Sequence, residues 1–250
     1  MRRTLVGKIK QAARRLGLGV YRLGQEWQLV EPAQLDRFLR HFEVDCVFDI
    51  GANEGQYATG LREIGYTGLI LSFEPHPEMA ELLRSAAAKD PKWEVFEVAL
   101  DSQVKSLKFN IMASSQFSSL REPDHSAFTL LRDQNTVIRT VSLTTETLAN
   151  AYPRLAIKYG FSRPFLKMDT QGSDLEVAKG AGPSLSNFVG LQSELALTKL
   201  YQAAPGFAQS LDYYQAQGFK LSSLVPNNAS HFPDLLEIDC IMYNPAFQAA

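Results

Sequence analysis

The chain has 250 residues, enough to bury a sizeable core as one domain with appendages. Its 25 basic and 27 acidic residues nearly cancel, so composition gives no argument for a nucleic acid or an acidic polymer as partner. No apolar run approaches the ~20 residues of a membrane-spanning helix, and the first residues lack the apolar core and cleavage site of a signal peptide, so the chain reads as cytoplasmic.

Residues 1–23 carry seven basic side chains, among them Arg2, Lys8 and Arg15, and the first acid is Glu26. Leu5, Ile9, Ala12, Ala13 and Leu16 recur at helical spacing, which predicts a basic amphipathic helix. Such a helix suits peripheral contact with an anionic membrane or a charged partner, and equally a solvated helix packed on the domain. Pro32 to Phe42 reads as a second amphipathic helix. Residues 1–43 thus precede a domain expected over 44–250.

That domain is organised around Val44 to Gly55. Val44, Cys46, Val47, Phe48 and Ile50 form a nearly unbroken apolar run, the pattern of a parallel strand covered on both faces. The run stops at Gly51, and Tyr57, Ala58, Leu61 and Ile64 then recur at helical spacing. The segment reads strand, glycine turn, helix. A phosphate loop would need Lys-Ser or Lys-Thr after Gly55, where Gln56-Tyr57 stands; a nicotinamide fingerprint would need glycine at Asn53. What remains is Asp49-x-Gly51-x-x-x-Gly55, which suits a cofactor with a zwitterionic amino-acid end, and S-adenosylmethionine fits.

Gly68 to Phe73 is a second apolar strand, ending in Glu74-Pro75. Glu74 lies 23 residues beyond Gly51, close to the ~20-residue spacing at which an acid on the next strand tip reaches ribose hydroxyls. The same acid could instead cap the following helix, expected over Met79 to Lys89. A third strand, Trp93 to Leu100, ends in Asp101-Ser102. Ala99 and Leu100 are placed to pack on an adenine, and Asp101 either accepts from its amino group or makes a strand-end turn.

Residues 104–141 leave the helix–strand rhythm. Val104 to Ile111 and Thr136 to Leu143 alternate with period two, around a polar stretch that contains Ser118 and His125. We read two antiparallel strands joined by a long loop over the cofactor site, a cap inserted in the domain. Ser118 and His125 are its candidate acceptor-binding residues. Thr144 to Tyr159 is a helix, Phe165 to Met168 the fourth parallel strand with Asp169 at its tip, and Phe188 to Ser193 the fifth with Glu194. A helix interrupted near Pro205 is expected over Thr198 to Gln217, then strands over Gly218 to Val225 and Asp234 to Tyr243. Cys46 and Cys240 both fall in strand-like runs and read as buried free thiols.

Four blocks carry a resemblance: Phe48-Asp-Ile-Gly-Ala-Asn-Glu-Gly55, Phe73-Glu-Pro-His-Pro77, Val98-Ala-Leu100 and Leu166-Lys-Met-Asp-Thr-Gln-Gly172. From about Val47 onward the chain resembles the FkbM family of S-adenosylmethionine-dependent methyltransferases. The resemblance implies a Rossmann-like class I methyltransferase fold, a mostly parallel seven-stranded sheet with helices on both faces and a C-terminal antiparallel hairpin. It implies that Asp49, Gly51, Asn53 and Gly55 line the methionine end, that Glu74 and Pro75 flank the ribose, and that the acceptor is a hydroxyl of a sugar in a bacterial glycan or a glycosylated metabolite. N- or O-methylation of a lipid, polyketide or peptide product is the alternative within the fold, and a non-catalytic cofactor-binding or membrane-associated module the alternative outside it. Where relatives carry Glu in the Asp-x-Glu-Gly block, this chain has Gln171.

Methyl transfer to a hydroxyl needs the acceptor held in line with the methyl group and its proton removed. Asp169 and Glu194, at the tips of adjacent strands, are the candidate catalytic acids. The same two carboxylates are the candidate seat of a Mg²⁺ ion. Asp169 could also serve only as a helix cap. His125 and His231 are secondary base candidates.

Overall fold

The computed structural model describes residues 30–126, 131–227 and 233–248. The basic segment 1–23 and His231 lie outside the described residues. Helix α1 (Val30–His41) leads into strand β1 (Cys46–Ile50), helix α2 (Gln56–Glu63), β2 (Leu69–Phe73), α3 (Pro77–Ala87) and β3 (Trp93–Phe96). Strands β4 (Ser106–Met112) and β5 (Val137–Thr144) follow, then α4 (Leu148–Tyr159), β6 (Pro164–Met168), α5 (Asp174–Ala181), β7 (Gly190–Ala196), α6 (Phe207–Ala216), β8 (Lys220–Asn227) and β9 (Glu237–Tyr243).

Seven strands form one sheet in the order β3-β2-β1-β6-β7-β9-β8. The first five of these are parallel, and β9 runs antiparallel to both β7 and β8. This is the Rossmann-like methyltransferase sheet with its closing hairpin. Period-two alternation sorts the side chains. Phe48, Ile50, Leu166 and Met168 point into a core under α4, α5 and α6, whereas Val47 and Phe165 point into a second core under α1, α2 and α3. Every residue of β1 and β6 is buried, as the continuous apolar runs require. Cys46 and Cys240 are buried free thiols. Among the described residues no helix is long and apolar enough to cross a membrane.

Two elements differ from the sequence reading. The third strand ends at Phe96, because the chain then leaves the sheet and Leu100 bridges to Glu146. The helix expected over 198–217 begins only at Phe207. Residues ahead of it bond instead to the segment after β4, with Asp124 N–H donating to the Leu200 carbonyl (2.8 Å) and Gln202 N–H to Glu122 (2.9 Å). Non-local backbone pairing overrides local helix propensity there.

The β4–β5 pair lies apart from the main sheet. The chain between these strands packs a small core of its own, with Met112, Leu131, Leu200, Tyr201 and Leu236. Ser115 reaches the glycine turn, within 3.5 Å of the Asn53 side-chain amide.

A polar chain crosses the buried middle of the sheet. Lys167 of β6 faces Asp49 of β1 in register, with Nζ 2.9 Å from Oδ1. The Ser72 hydroxyl donates to Asp49 Oδ2 (3.2 Å), and the Trp93 indole N–H donates to Ser72 Oγ (2.9 Å). Burial alone would lower the Lys167 pKa, but Asp49 and then Asp169 beside it outweigh burial and hold it above its usual value. Removing one member leaves a bare charge in a dry interior. Lys167→Met should therefore destabilise the protein by ~3–5 kcal/mol in a denaturant titration. Loss of less than ~1 kcal/mol would show that Asp49 finds another partner.

Candidate active site

The strand tips of β1, β2, β6 and β7 open into one cavity of about 620 Å³. That lies within the range of about 300–1,000 Å³ typical of small-molecule sites. Gly51, Asn53, Glu74 and Pro75 line it, together with Val98, Ala99 and Leu100. Next to Gly51, where the β6 tip meets the β1 tip, the wall continues with Asp169, Gln171, Glu194, Asn227 and Glu237. Phe109, Phe117 and Ser118 form the roof from the β4–β5 side.

Gly51 is required at the corner. Its φ is +76°, and a Cβ there would stand 1.9 Å from the Asp169 carbonyl oxygen. The Gly51 carbonyl accepts from Lys167 Nζ (3.2 Å), so the buried ion pair also holds the turn. Asn53 takes a left-handed φ of 48°, which asparagine tolerates, and its N–H donates to Glu74 Oε2 (2.7 Å). The other Glu74 oxygen accepts from His76 N–H (2.7 Å). Burial pushes Glu74 up to about 7, against the two backbone N–H groups and Lys167, which lower it.

Several expected site residues stand elsewhere. Asp49 is fully buried behind the turn, engaged by Lys167 and Ser72, and does not line the cavity. Gly55 starts α2 at φ +93°, and a Cβ there would meet Leu83 and Trp93 at 2.9 Å; it packs on the core rather than on a ligand. Asp101 is turned to the Ser102 hydroxyl (2.9 Å) and Lys105 Nζ (3.3 Å), the strand-end turn that its sequence also allowed. His125 places Nε2 2.7 Å from the Asn135 carbonyl, away from the cavity. By contrast Gly51, Asn53, Glu74, Pro75, Ala99, Leu100, Ser118, Asp169 and Glu194 all line one space.

At the acidic end the decisive side chain is Gln171, itself at φ +54°. Its amide nitrogen donates to Asp169 Oδ1 (3.0 Å) and Glu194 Oε2 (3.1 Å), and the Tyr201 hydroxyl donates to its Oε1 (2.9 Å). Two carboxylate acceptors on one side and a hydroxyl on the other fix which way the amide faces. Asn227 donates to the second Glu194 oxygen (3.3 Å). Beneath them Asp174 ties the β6 tip to β7. It accepts from Thr170 N–H (2.8 Å), Thr170 Oγ1 (2.6 Å), Ser193 Oγ (2.9 Å) and Glu194 N–H (3.0 Å). Burial raises the Asp174 pKa, and its hydrogen bonds with Thr170 and Ser193 oppose the rise.

This donor set does not fit a divalent ion. Gln171 points N–H groups, not oxygens, into the space between Asp169 and Glu194, where a cation would have to sit. Among the described residues no group of three or more His, Cys, Asp or Glu is arranged to hold a metal.

Sequence reasoning passed over Glu237, Asp174 and the amide bridge of Gln171. It also named Lys167 only within a motif. A lone charge in each of two buried runs, Asp49 and Lys167, was a readable sign of a cross-strand pair.

The model of the methyltransferase FkbM domain matches residues 49–221. No curated protein matches the chain in sequence. Among solved structures, magnesium protoporphyrin IX methyltransferase from Synechocystis with bound S-adenosylmethionine is 11% identical, over 95% of this chain and 91% of that one, with a TM-score of 0.47. Fibrillarin from Aeropyrum pernix, bound to S-adenosyl-L-methionine, is 10% identical over 84% and 74%, with a TM-score of 0.46. The glycopeptide N-methyltransferase MtfA is 11% identical over 87% and 98%, with a TM-score of 0.42.

The Gln171 bridge makes a direct prediction. Gln171→Glu would gather three carboxylates at one point, so the variant should acquire a Mn²⁺ signal in electron paramagnetic resonance titrations that the parent protein lacks. Equal Mn²⁺ uptake by both would show that the amide does not exclude the ion.

Proposed function

The chain belongs to the FkbM family of S-adenosylmethionine-dependent methyltransferases, and from that membership we propose that it methylates a hydroxyl of a sugar, in a glycan or a glycosylated metabolite. One observation carries the reading: Glu74 and the Asp169–Glu194 pair line a single cavity. A cofactor held by Gly51 and Glu74 would bring its reactive group beside Asp169, whose carbonyl stands against Gly51.

The residues fit the group in kind. Gly51 and Asn53 would hold the amino-acid end, and Glu74 the two ribose hydroxyls. Ala99 and Leu100 would cover the purine, with Pro75 beside the sugar. Each Glu74 oxygen takes one backbone N–H and keeps a lone pair for a ligand hydroxyl. S-Adenosylmethionine, when bound, supplies an electrophilic methyl group. The protein's part is to orient the acceptor, exclude water and remove one proton. Asp169 and Glu194 would face the acceptor. Held rigid by Gln171 and Asp174, they can orient hydroxyl donors without first reorganising. Phe117 and Ser118 close the roof above them, Ser118 with its hydroxyl 3.2 Å from the Met112 N–H.

Calorimetry with S-adenosylhomocysteine tests the assignment. Glu74→Ala should weaken binding by ~1–3 kcal/mol, the range for losing hydrogen bonds to a charged group. Unchanged affinity would remove Glu74 from the site. A second outcome follows from the raised Glu74 pKa. Ribose hydroxyls donate to the carboxylate, so binding below pH 7 must first expel a proton. Affinity should fall about tenfold from pH 8 to pH 6, around the Glu74 value of about 7. Glu74→Gln should flatten that profile.

A further inference from the structure

A third acid stands beside Asp169 and Glu194. Glu237 opens β9, whose antiparallel pairing with β7 sets Glu237 opposite Ala196 and Asp239 opposite Glu194. Its side chain lines the same cavity, and its carboxyl hydrogen-bonds to that of Glu194.

The three acids are not equivalent. Asp169 gives Oδ1 to the Gln171 amide and has the Lys167 ammonium 3.8 Å from Oδ2. Glu194 has both oxygens engaged by amide N–H groups, from Gln171 and Asn227. Those contacts fix the Glu194 carboxyl in place, while burial and the acids around it push its pKa well above the usual carboxylate range. Glu237 rests against another carboxyl instead, in the same wall of the cavity.

We propose that Glu237, backed by Glu194, takes up the proton of the acceptor hydroxyl during methyl transfer. The proposal rests on the cofactor reading above. In the step, a lone pair of the acceptor oxygen forms the new O–C bond and the C–S bond breaks with its electron pair going to sulfur. The O–H proton passes to the Glu237 carboxylate, so the sulfonium charge and one carboxylate charge disappear together.

The titratable groups facing the pair are Asp169 at the β6 tip, Asp174 on α5, Tyr201 ahead of α6 and Asp239 on β9. Burial pushes Glu237 up to about 7, Asp169 and Asp174 add to the rise, and the hydrogen bond with Glu194 opposes it. Burial likewise raises Glu194, and Glu237, Asp169, Asp239 and Asp174 add to it. The pair therefore titrates as a unit, with one proton exchanged near neutrality. A group poised there can take a proton from the acceptor and return it to water at the same pH.

The test needs no acceptor. Sinefungin carries an ammonium-bearing carbon in place of the methyl-bearing sulfur and otherwise matches S-adenosylhomocysteine. The ratio of their affinities thus cancels Glu74 and reports negative charge at the reactive end. Measured by calorimetry on the full chain, the sinefungin advantage should rise about tenfold as pH passes upward through 7, because ionised Glu237 attracts the ammonium. Glu237→Gln should flatten the rise and leave the affinity for S-adenosylhomocysteine within about twofold. A ratio independent of pH in the unaltered protein overturns the proposal whatever the variant does, and so does a rise that survives Glu237→Gln. Failure of both ligands to bind the unaltered protein overturns the cofactor reading itself.

Discussion

Lys167 and Asp49, opposite charges side by side on the two central strands, are the constraint from which the site is built. Neither could be buried alone, since an unpaired charge in a dry interior costs several kcal/mol. Their pairing is met only when β1 and β6 adopt the observed register, because a slip of one residue would turn both side chains to opposite faces. The pair then reaches beyond the sheet. Lys167 also donates to the Gly51 carbonyl, so the turn under the cavity is fixed to the same point. Tyr57 covers the ammonium with its ring at 5.0 Å, and Ser72 and Trp93 carry the hydrogen-bond chain to the sheet's far strand. A polar chain of this kind does less for stability than an apolar core would. It specifies one arrangement.

The neighbouring acidic wall of the cavity applies the same logic with neutral donors. Four carboxyls, Asp169, Asp174, Glu194 and Glu237, crowd the tips of β6, β7 and β9, where mutual repulsion would scatter flexible side chains. Gln171, Asn227, Thr170 and Ser193 answer with N–H and O–H groups at 2.6–3.3 Å. The acids keep their positions while the site keeps its negative potential, which suits a cationic cofactor and an uncharged acceptor.

The parallel strands were legible because burial on both faces forces continuous apolar runs, and the glycine corner because no other residue fits 1.9 Å from a carbonyl oxygen. Glu74 was legible as a cavity residue by its distance along the chain from that corner, and Ala99 and Leu100 by following the third strand. The residues that the cavity lining leaves out share one cause. Asp49, Gly55 and Asp101 each sit in a motif, but a motif cannot say which of its side chains turns toward a ligand and which toward the protein. Glu237 was invisible for a different reason. Its place beside Glu194 arises from antiparallel pairing of strands more than forty residues apart, and no local pattern encodes that partner. The segment before Phe207 failed similarly, because its backbone bonds go to residues near Asp124.

The position of β9 bears on how the molecule is made. It is the last strand in chain order, yet it lies between β7 and β8 rather than at an edge. The sheet therefore cannot close as a simple growing series; its hairpin must dock after β7 has formed, a non-local step of the kind that slows folding. Since β9 carries Glu237, the emerging polypeptide holds the glycine corner and Glu74 well before its full acidic wall. The cores wait for it as well, since Cys240 and Met242 complete one face of the sheet and Ile241 the other.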